Sequence, residues 1–209
     1  MAGQITALEY QKRNRDRVSV FLDGRFAFGL PAIVAAGLRK GQVLSDAEIE
    51  ALQEEGSVES GYNKTLDFLS YRPRSRAEVK AYLQKRGFSE TQSEAIIERL
   101  ERAGLLNDAA FAQFWIENRE RFRPRGPRAL RHELRNKGIS NDIIDQVLPL
   151  VDVSDSAYRS ASKKARQLGQ LDRQTFVRKI VEYLARRGFD YEVAREAAER
   201  HWTRLRADR

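Results

Sequence analysis

The sequence predicts a mainly α-helical protein: three tandem three-helix repeats of about 50 residues in an elongated stack, preceded by a small N-terminal β-hairpin with short helices. Three observations predict this. An Arg-Pro-Arg segment recurs at a fixed offset, glycines followed by a bulky apolar residue recur in phase with it, and the apolar residues between them fall at helical spacing. The 52 Leu, Ile, Val and Phe residues among 209 suffice for a core, while 33% charged residues divide that core among thin amphipathic elements.

Residues 1–60 form the N-terminal segment. Val18–Leu22 and Arg25–Leu30 are apolar-rich runs joined by Asp23-Gly24, a pair that favours the primed turn of a tight hairpin. Helices are predicted over 31–38 and 46–55; Gly41 breaks the first, and Ser45 with Glu48 forms a capping box for the second. A lone two-stranded hairpin is marginal in water, so this one must dock on a helix. It serves either as a partner-binding arm or as a small domain packed on the first repeat. Gly56 to Gly61 marks the boundary.

The repeats are predicted over 61–107, 108–153 and 154–209. Tyr71-Arg72-Pro73-Arg74 returns 51 residues later as Phe122-Arg123-Pro124-Arg125, and the same step carries Leu83 to Leu134 and Gly87 to Gly138. A further step of 50 leads to Leu184 and Gly188. The first helix of each repeat turns inward Tyr62, Leu66 and Leu69; then Phe111, Trp115 and Phe122; then Tyr158, Ala161, Ala165 and Leu168. Pro73 and Pro124 end it in the first two repeats, because the residue before proline is pushed out of the α region. The second helix opens on Ser75 with Glu78, a capping-box pattern, and on Pro127 after Gly126. It stops at Gly87, Gly138 and Gly188, where a left-handed C-cap suits glycine, and Ser89, Ser140 and Asp190 cap the third helix. Such a unit has little core of its own and must stack on its neighbours.

Charge follows the same period. The net charge is +8, with +5 over residues 72–86, +6 over 119–137 and +7 over 159–187, separated by −2 over 87–107 and −3 over 138–153. On the second helices, Leu130 and Leu134 face inward and Arg128, Arg131 or His132, and Arg135 outward. Val79 and Leu83 oppose Arg76 and Lys80, and Val177, Ile180, Val181 and Leu184 oppose Arg178, Lys179 and Arg186. Stacked in one orientation, these helices form a basic edge and the third helices an acidic one. Phosphates or an acidic protein surface are the matching partners.

Other chemistry is lacking. The chain has no cysteine, no phosphate-binding glycine loop, no nucleophile elbow, and two isolated histidines, His132 and His201, so neither catalysis, a cofactor nor a metal is expected. Carboxylate pairs such as Glu98 and Glu101 are read as solvated, and Trp115 and Trp202 as core anchors. The absence of an apolar run of spanning length and of a signal-like N-terminus predicts a cytoplasmic protein without a membrane partner. No sustained heptad is visible, which predicts a monomer.

Arg72-Pro-Arg-Ser-Arg-Ala-Glu78, Leu83-Gln-Lys-Arg-Gly-Phe88 and Gly104-Leu-Leu-Asn-Asp-Ala-Ala-Phe-Ala112 resemble the RecX family, regulators of the bacterial RecA recombinase. The resemblance continues through Arg125-Gly-Pro-Arg128, Leu134-Arg-Asn-Lys-Gly-Ile139 and Tyr183-Leu-Ala-Arg-Arg-Gly-Phe189, covering residues 61–200. The third repeat lacks the Arg-Pro-Arg segment. The resemblance implies an all-helical, non-enzymatic protein that binds RecA filaments on single-stranded DNA. It further implies a protein that lies in or near the filament groove and restrains filament growth, ATP hydrolysis, strand exchange and co-protease activity in DNA repair and the SOS response. The basic edge and the two Arg-Pro-Arg corners supply the candidate contacts to recombinase or DNA: Arg72, Arg74, Arg123, Arg125, Arg128, Arg131 and Arg135. Pairing of these arginines with the acidic third helices is the competing expectation. The alternative functions are a helical-repeat nucleic-acid-binding protein acting independently of RecA, or a protein-interaction scaffold.

Overall fold

The computed structural model describes residues 2–207. Cα packing divides the chain into two compact units, Met1–Arg72 with Val79–Leu106, and Pro73–Glu78 with Asn107–Arg209.

The first unit begins with strands β1 (Gly3–Gln11), β2 (Asn14–Leu22), β3 (Arg25–Pro31) and β4 (Val43–Leu44), an antiparallel sheet in the order β3-β2-β1-β4. The expected hairpin is its β2–β3 pair. Leu22 opposes Arg25, and both turn residues have positive φ, Asp23 at 48° and Gly24 at 80°. The sheet is wider than the hairpin because β1 and β4 also pair. In β1 the alternation that reveals a strand is weak: Ile5 is the one large side chain fully buried, and register shifts interrupt its pairing with β2. Ile5, Val18, Val20, Phe28 and Leu30 form the sheet's core with Leu44, and Ile49 and Leu52 close it from the helix side.

Helix α1 is a single turn, Ala32–Ala35, shorter than the span 31–38 expected. The second expected helix, 46–55, is instead α2, Asp46–Ser70, a continuous 25-residue helix that starts at the predicted Ser45–Glu48 capping box. It runs unbroken through Gly56 and Gly61. These glycines are buried packing positions: a Cβ on Gly56 would sit 2.7 Å from Leu30 Cδ2, and one on Gly61 2.5 Å from Ile96 Cδ1. The N-terminal half of α2 covers the sheet, while Tyr62, Leu66 and Leu69 join the next core. There they meet Val79 and Leu83 of α3 (Arg76–Lys85), Ile96, Ile97 and Leu100 of α4 (Glu90–Arg102), and Leu106. Helix α4 starts at a Ser89–Gln92 capping box. One helix thus serves both the sheet and the first three-helix group.

The second unit holds α5 (Asp108–Phe122), α6 (Pro127–Asn136), α7 (Asn141–Val147) with a short 3-10 turn over Leu148–Leu150, α8 (Val153–Leu168), α9 (Arg173–Ala185) and α10 (Tyr191–Ala207). Its first core is Phe111, Ala112, Ile116, Leu130, Leu134, Ile139, Ile144 and Val147. Its second combines Phe176, Ile180, Leu184 and Phe189 with alanines at 157, 161, 165, 194, 197 and 198, small residues that let α8 and α10 approach closely. In α9 the inward face is rotated from the one the spacing predicts: Phe176 is fully buried, whereas Val177 and Val181 are only half-buried. Gly87, Gly138 and Gly188 have φ of 83°, 78° and 88°, as their predicted C-cap role requires. The predicted inward position of Phe122 is corrected: its ring is 66% exposed. The core ends with Ile116, and Phe122 lies beyond it in the last turn of α5.

Candidate functional site

In the second unit, main-chain hydrogen bonds join the start of α6 to the end of α9. The Gly126 N–H donates to the Arg187 carbonyl at 2.9 Å and the Arg128 N–H to the Gly188 carbonyl at 3.3 Å. One repeat earlier, Ser75 Oγ donates to the Lys137 carbonyl at 2.6 Å, and Lys137 Nζ bonds Glu78 Oε1 at 2.6 Å. Ser75 and Gly126, like Lys137 and Arg187, occupy equivalent repeat positions. In both places, within the second unit, Ser75 or Gly126 bonds the carbonyl of the residue that precedes a helix-ending glycine. The Glu78 N–H donates to Ser75 Oγ at 3.2 Å, so the cap expected at Ser75 forms, and the Glu78 carboxylate also reaches Lys137.

A second clamp ties α5 to α8. Glu120 Oε2 accepts from Arg159 Nη2 at 2.6 Å and from the Ser156 hydroxyl, and Arg159 Nη1 reaches the Glu120 carbonyl at 2.6 Å. Burial opposes the charge of Arg159, but its hydrogen bond to Asp155 and the Glu120 charge outweigh it and raise its pKa.

These joints position α6. Leu130 and Leu134 are fully buried, while Arg128, His132 and Arg135 are exposed and Arg131 is half-exposed on the outer side, as the sequence predicts. Each candidate arginine of α6 also reaches the start or face of a third helix. Arg128 Nη2 donates to the Phe189 carbonyl at 3.1 Å and its Nε lies 3.3 Å from Asp190 Oδ1. Arg131 pairs with Asp145 at 2.5 Å and Arg135 Nε donates to Asn141 Oδ1 at 2.9 Å. The competing expectation of internal pairing is thus realised at Arg128 and Arg131. Both pairs are partly exposed, and such pairs contribute about 0–1 kcal/mol, so a partner's phosphate or carboxylate can replace the internal anion at little cost.

The Arg-Pro-Arg corners differ in detail. Arg123 is the exposed C-cap residue of α5. Arg125 is half-buried with Nε 3.9 Å from Glu133 Oε1, the carboxylate whose other oxygen takes Trp115 Nε1 at 2.9 Å and Arg119 Nε at 2.7 Å. Arg72 closes the first unit and Arg74 lies in the Pro73–Glu78 segment of the second; both are half-buried and both have interaction partners. The structure groups Arg123, Arg125, Arg128, Arg131 and Arg135 on α6 and the corner before it. The third helices are not uniformly acidic, since α10 carries Arg195, Arg200, Arg204 and Arg206 beside Glu192, Glu196 and Glu199. Sequence reasoning missed Arg121 and the exposed ring of Phe122. The signal was present in the matched aromatics Tyr71 and Phe122, of which Tyr71 is 83% exposed. Among the described residues, no helix is long and apolar enough to cross a membrane.

Comparison with known proteins agrees in extent and order. The regulatory protein RecX N-terminal domain matches residues 3–45, and the first, second and third three-helix domains of RecX match 62–100, 107–148 and 152–208. The regulatory protein RecX of Bacillus licheniformis is 33% identical over 200 residues, spanning 93% of this chain and 76% of that protein. The regulatory protein RecX of Bacillus subtilis strain 168 is 34% identical over 201 residues, with the same shares. A crystal structure of regulatory protein RecX superposes with a TM-score of 0.77 at 27% identity, covering 91% of this chain and 96% of that one. The chain belongs to the RecX family of regulatory proteins.

Proposed function

We propose that this protein is a non-enzymatic modulator, mainly an inhibitor, of the RecA recombinase. It binds RecA filaments on single-stranded DNA and restrains filament growth, ATP hydrolysis, strand exchange and co-protease activity. The observation that carries the reading is the outer face of α6: Arg128, Arg131 and Arg135 stand opposite fully buried leucines, and the side chains that partner them, Asp190, Asp145 and Asn141, are exposed. A helical filament offers a long, repeating acidic and phosphate-bearing path, and a chain of repeats with recurring basic blocks suits it. In this reading Arg72, Arg74, Arg123, Arg125, Arg128, Arg131 and Arg135 contact the recombinase or its DNA, the protein acts as a cytoplasmic monomer, and it needs no cofactor.

The test is ATP hydrolysis by the cognate RecA on single-stranded DNA while this protein is titrated. Inhibition well below one molecule per recombinase supports action at filament ends or through destabilised stretches. Inhibition only near saturation supports groove occupancy. No effect, with both proteins folded and RecA active, overturns the reading in favour of a nucleic-acid-binding protein independent of RecA.

A further inference from the structure

Most arginines of the basic stretch around α5 and α6 are internally engaged. Arg119 and Arg125 face Glu133, Arg128 faces Asp190, and Arg131 faces Asp145. Arg121 and Arg123 differ: both are exposed, and among the described residues neither joins an ion pair. Between them stands Phe122, 66% exposed although the core of its helix is already complete. The Arg121 guanidinium lies over the Phe122 ring, 5.3 Å from its centroid. The backbone leaves the helix at Arg123, with φ −151° and ψ 73°, so ring and guanidinium groups stand at a corner rather than along a packed face.

An exposed ring with one guanidinium over it and another beside it, neither of them ion-paired among the described residues, matches one ligand chemistry in particular. A nucleobase offers a π-face to the phenyl ring, and the phosphates on either side of it offer charge to the two guanidinium groups. A protein partner would instead need an apolar pocket for Phe122 and acidic groups on both sides of it. The repeat places another aromatic, Tyr71, at the matching position before Arg72-Pro73 in the first unit, and it is 83% exposed.

We propose that Arg121, Phe122 and Arg123 form a direct contact for single-stranded nucleic acid, in which a base stacks on Phe122 and neighbouring phosphates pair with Arg121 and Arg123. The proposal rests on the reading that the protein works at single-stranded DNA, and assigns part of that contact to the DNA itself.

The experiment measures binding of the full chain alone, without RecA, to a labelled dT oligomer of about 16 nucleotides and to the same oligomer with internal abasic sites. The wild type is expected to bind dT about tenfold more tightly than the abasic strand. Phe122→Leu removes that difference, and Phe122→Trp keeps it and adds indole fluorescence that dT quenches and the abasic strand does not. Arg121→Ala with Arg123→Ala lowers the slope of log affinity against log salt by about 0.7 for each phosphate that the two guanidinium groups neutralise. Equal binding of both strands by the wild type, or a preference for dT that survives Phe122→Leu, overturns the proposal. So does a Phe122→Leu variant that binds both strands as the wild type does yet fails to inhibit RecA, an outcome that transfers the corner to a protein contact. Failure of the wild-type protein to inhibit RecA at all bears instead on the regulatory role, which binding to bare DNA does not involve.

Discussion

Gly126 and Gly188 are in backbone contact: a Cβ on Gly126 would come 2.2 Å from the carbonyl carbon and oxygen of Gly188. The reciprocal contact is as close, since a Cβ on Gly188 would lie 2.5 Å from the Ala129 nitrogen, and Gly188 has a φ of 88°. No side-chain rotation relieves either clash, because the opposing atoms are main chain.

Gly126→Ala therefore forces the α6 and α9 ends apart. Overpacking of this kind typically costs about 1–3 kcal/mol, and the melting temperature should fall by about 2–4 °C per kcal/mol in a chain of this size. An unchanged melting curve would show that the joint is not needed for stability.

Leu134→Ala and Arg131→Ala separate the two faces of α6. Leu134 is fully buried, so its truncation should cost about 2–5 kcal/mol. Arg131→Ala breaks a partly exposed pair with Asp145 and should cost less than about 1 kcal/mol, measured by urea denaturation. If the two losses are similar, the division into an inner and an outer face is wrong.

Charge reversal at Arg123 should weaken inhibition of RecA ATP hydrolysis without lowering the melting temperature, because Arg123 is exposed and outside any ion pair among the described residues. Reversal at Arg125 is a less clean probe. Its guanidinium faces Glu133, and a carboxylate there would disturb the Trp115 and Arg119 contacts. Full inhibition by Arg123→Glu would remove that residue from the contact.

His201 makes the third helix group sensitive to acid. It is 6% exposed, its ring stacks on Tyr158 at 3.9 Å, and its Nε2 lies 2.8 Å from the Tyr158 carbonyl. A carbonyl only accepts, so Nε2 carries the proton. Burial pushes the His201 pKa below 6.5; the Tyr158 hydrogen bond opposes this, and the charges of Arg200 and Arg204 add to it. The unfolded chain therefore binds the proton more readily than the folded one. Stability is complete above pH 6.5, declines as pH falls below it, and levels off once the folded imidazole is also protonated. Asp172 and Glu48, whose pKa values are lowered by hydrogen bonds to their helix starts, act only further into acid. Urea midpoints between pH 7.5 and about pH 5.5 should fall for the wild type and stay flatter for His201→Gln. Parallel curves would assign the acid sensitivity elsewhere.

The sequence by itself determined the helical architecture, its period and the inner face of the first two second helices. Those signals are local. Proline, serine and glycine set helix ends through their own backbone chemistry, and leucines four apart lie on one face whatever surrounds them. Tertiary structure decided what depends on distant partners. Strands β1 and β4 exist because neighbouring strands offer them hydrogen bonds. Gly56 and Gly61 lie within one long helix at points where Leu30 and Ile96 leave no room for a Cβ, whereas a glycine seen alone reads as a break. The arginines carry the same ambiguity. In sequence, Arg123 and Arg131 are equivalent members of one basic block, and only the approach of Asp145 engages the second while the first stays open to solvent. Phe122 shows the limit most directly: its helical spacing points inward, but the core ends before the helix does, and the ring stands in solvent.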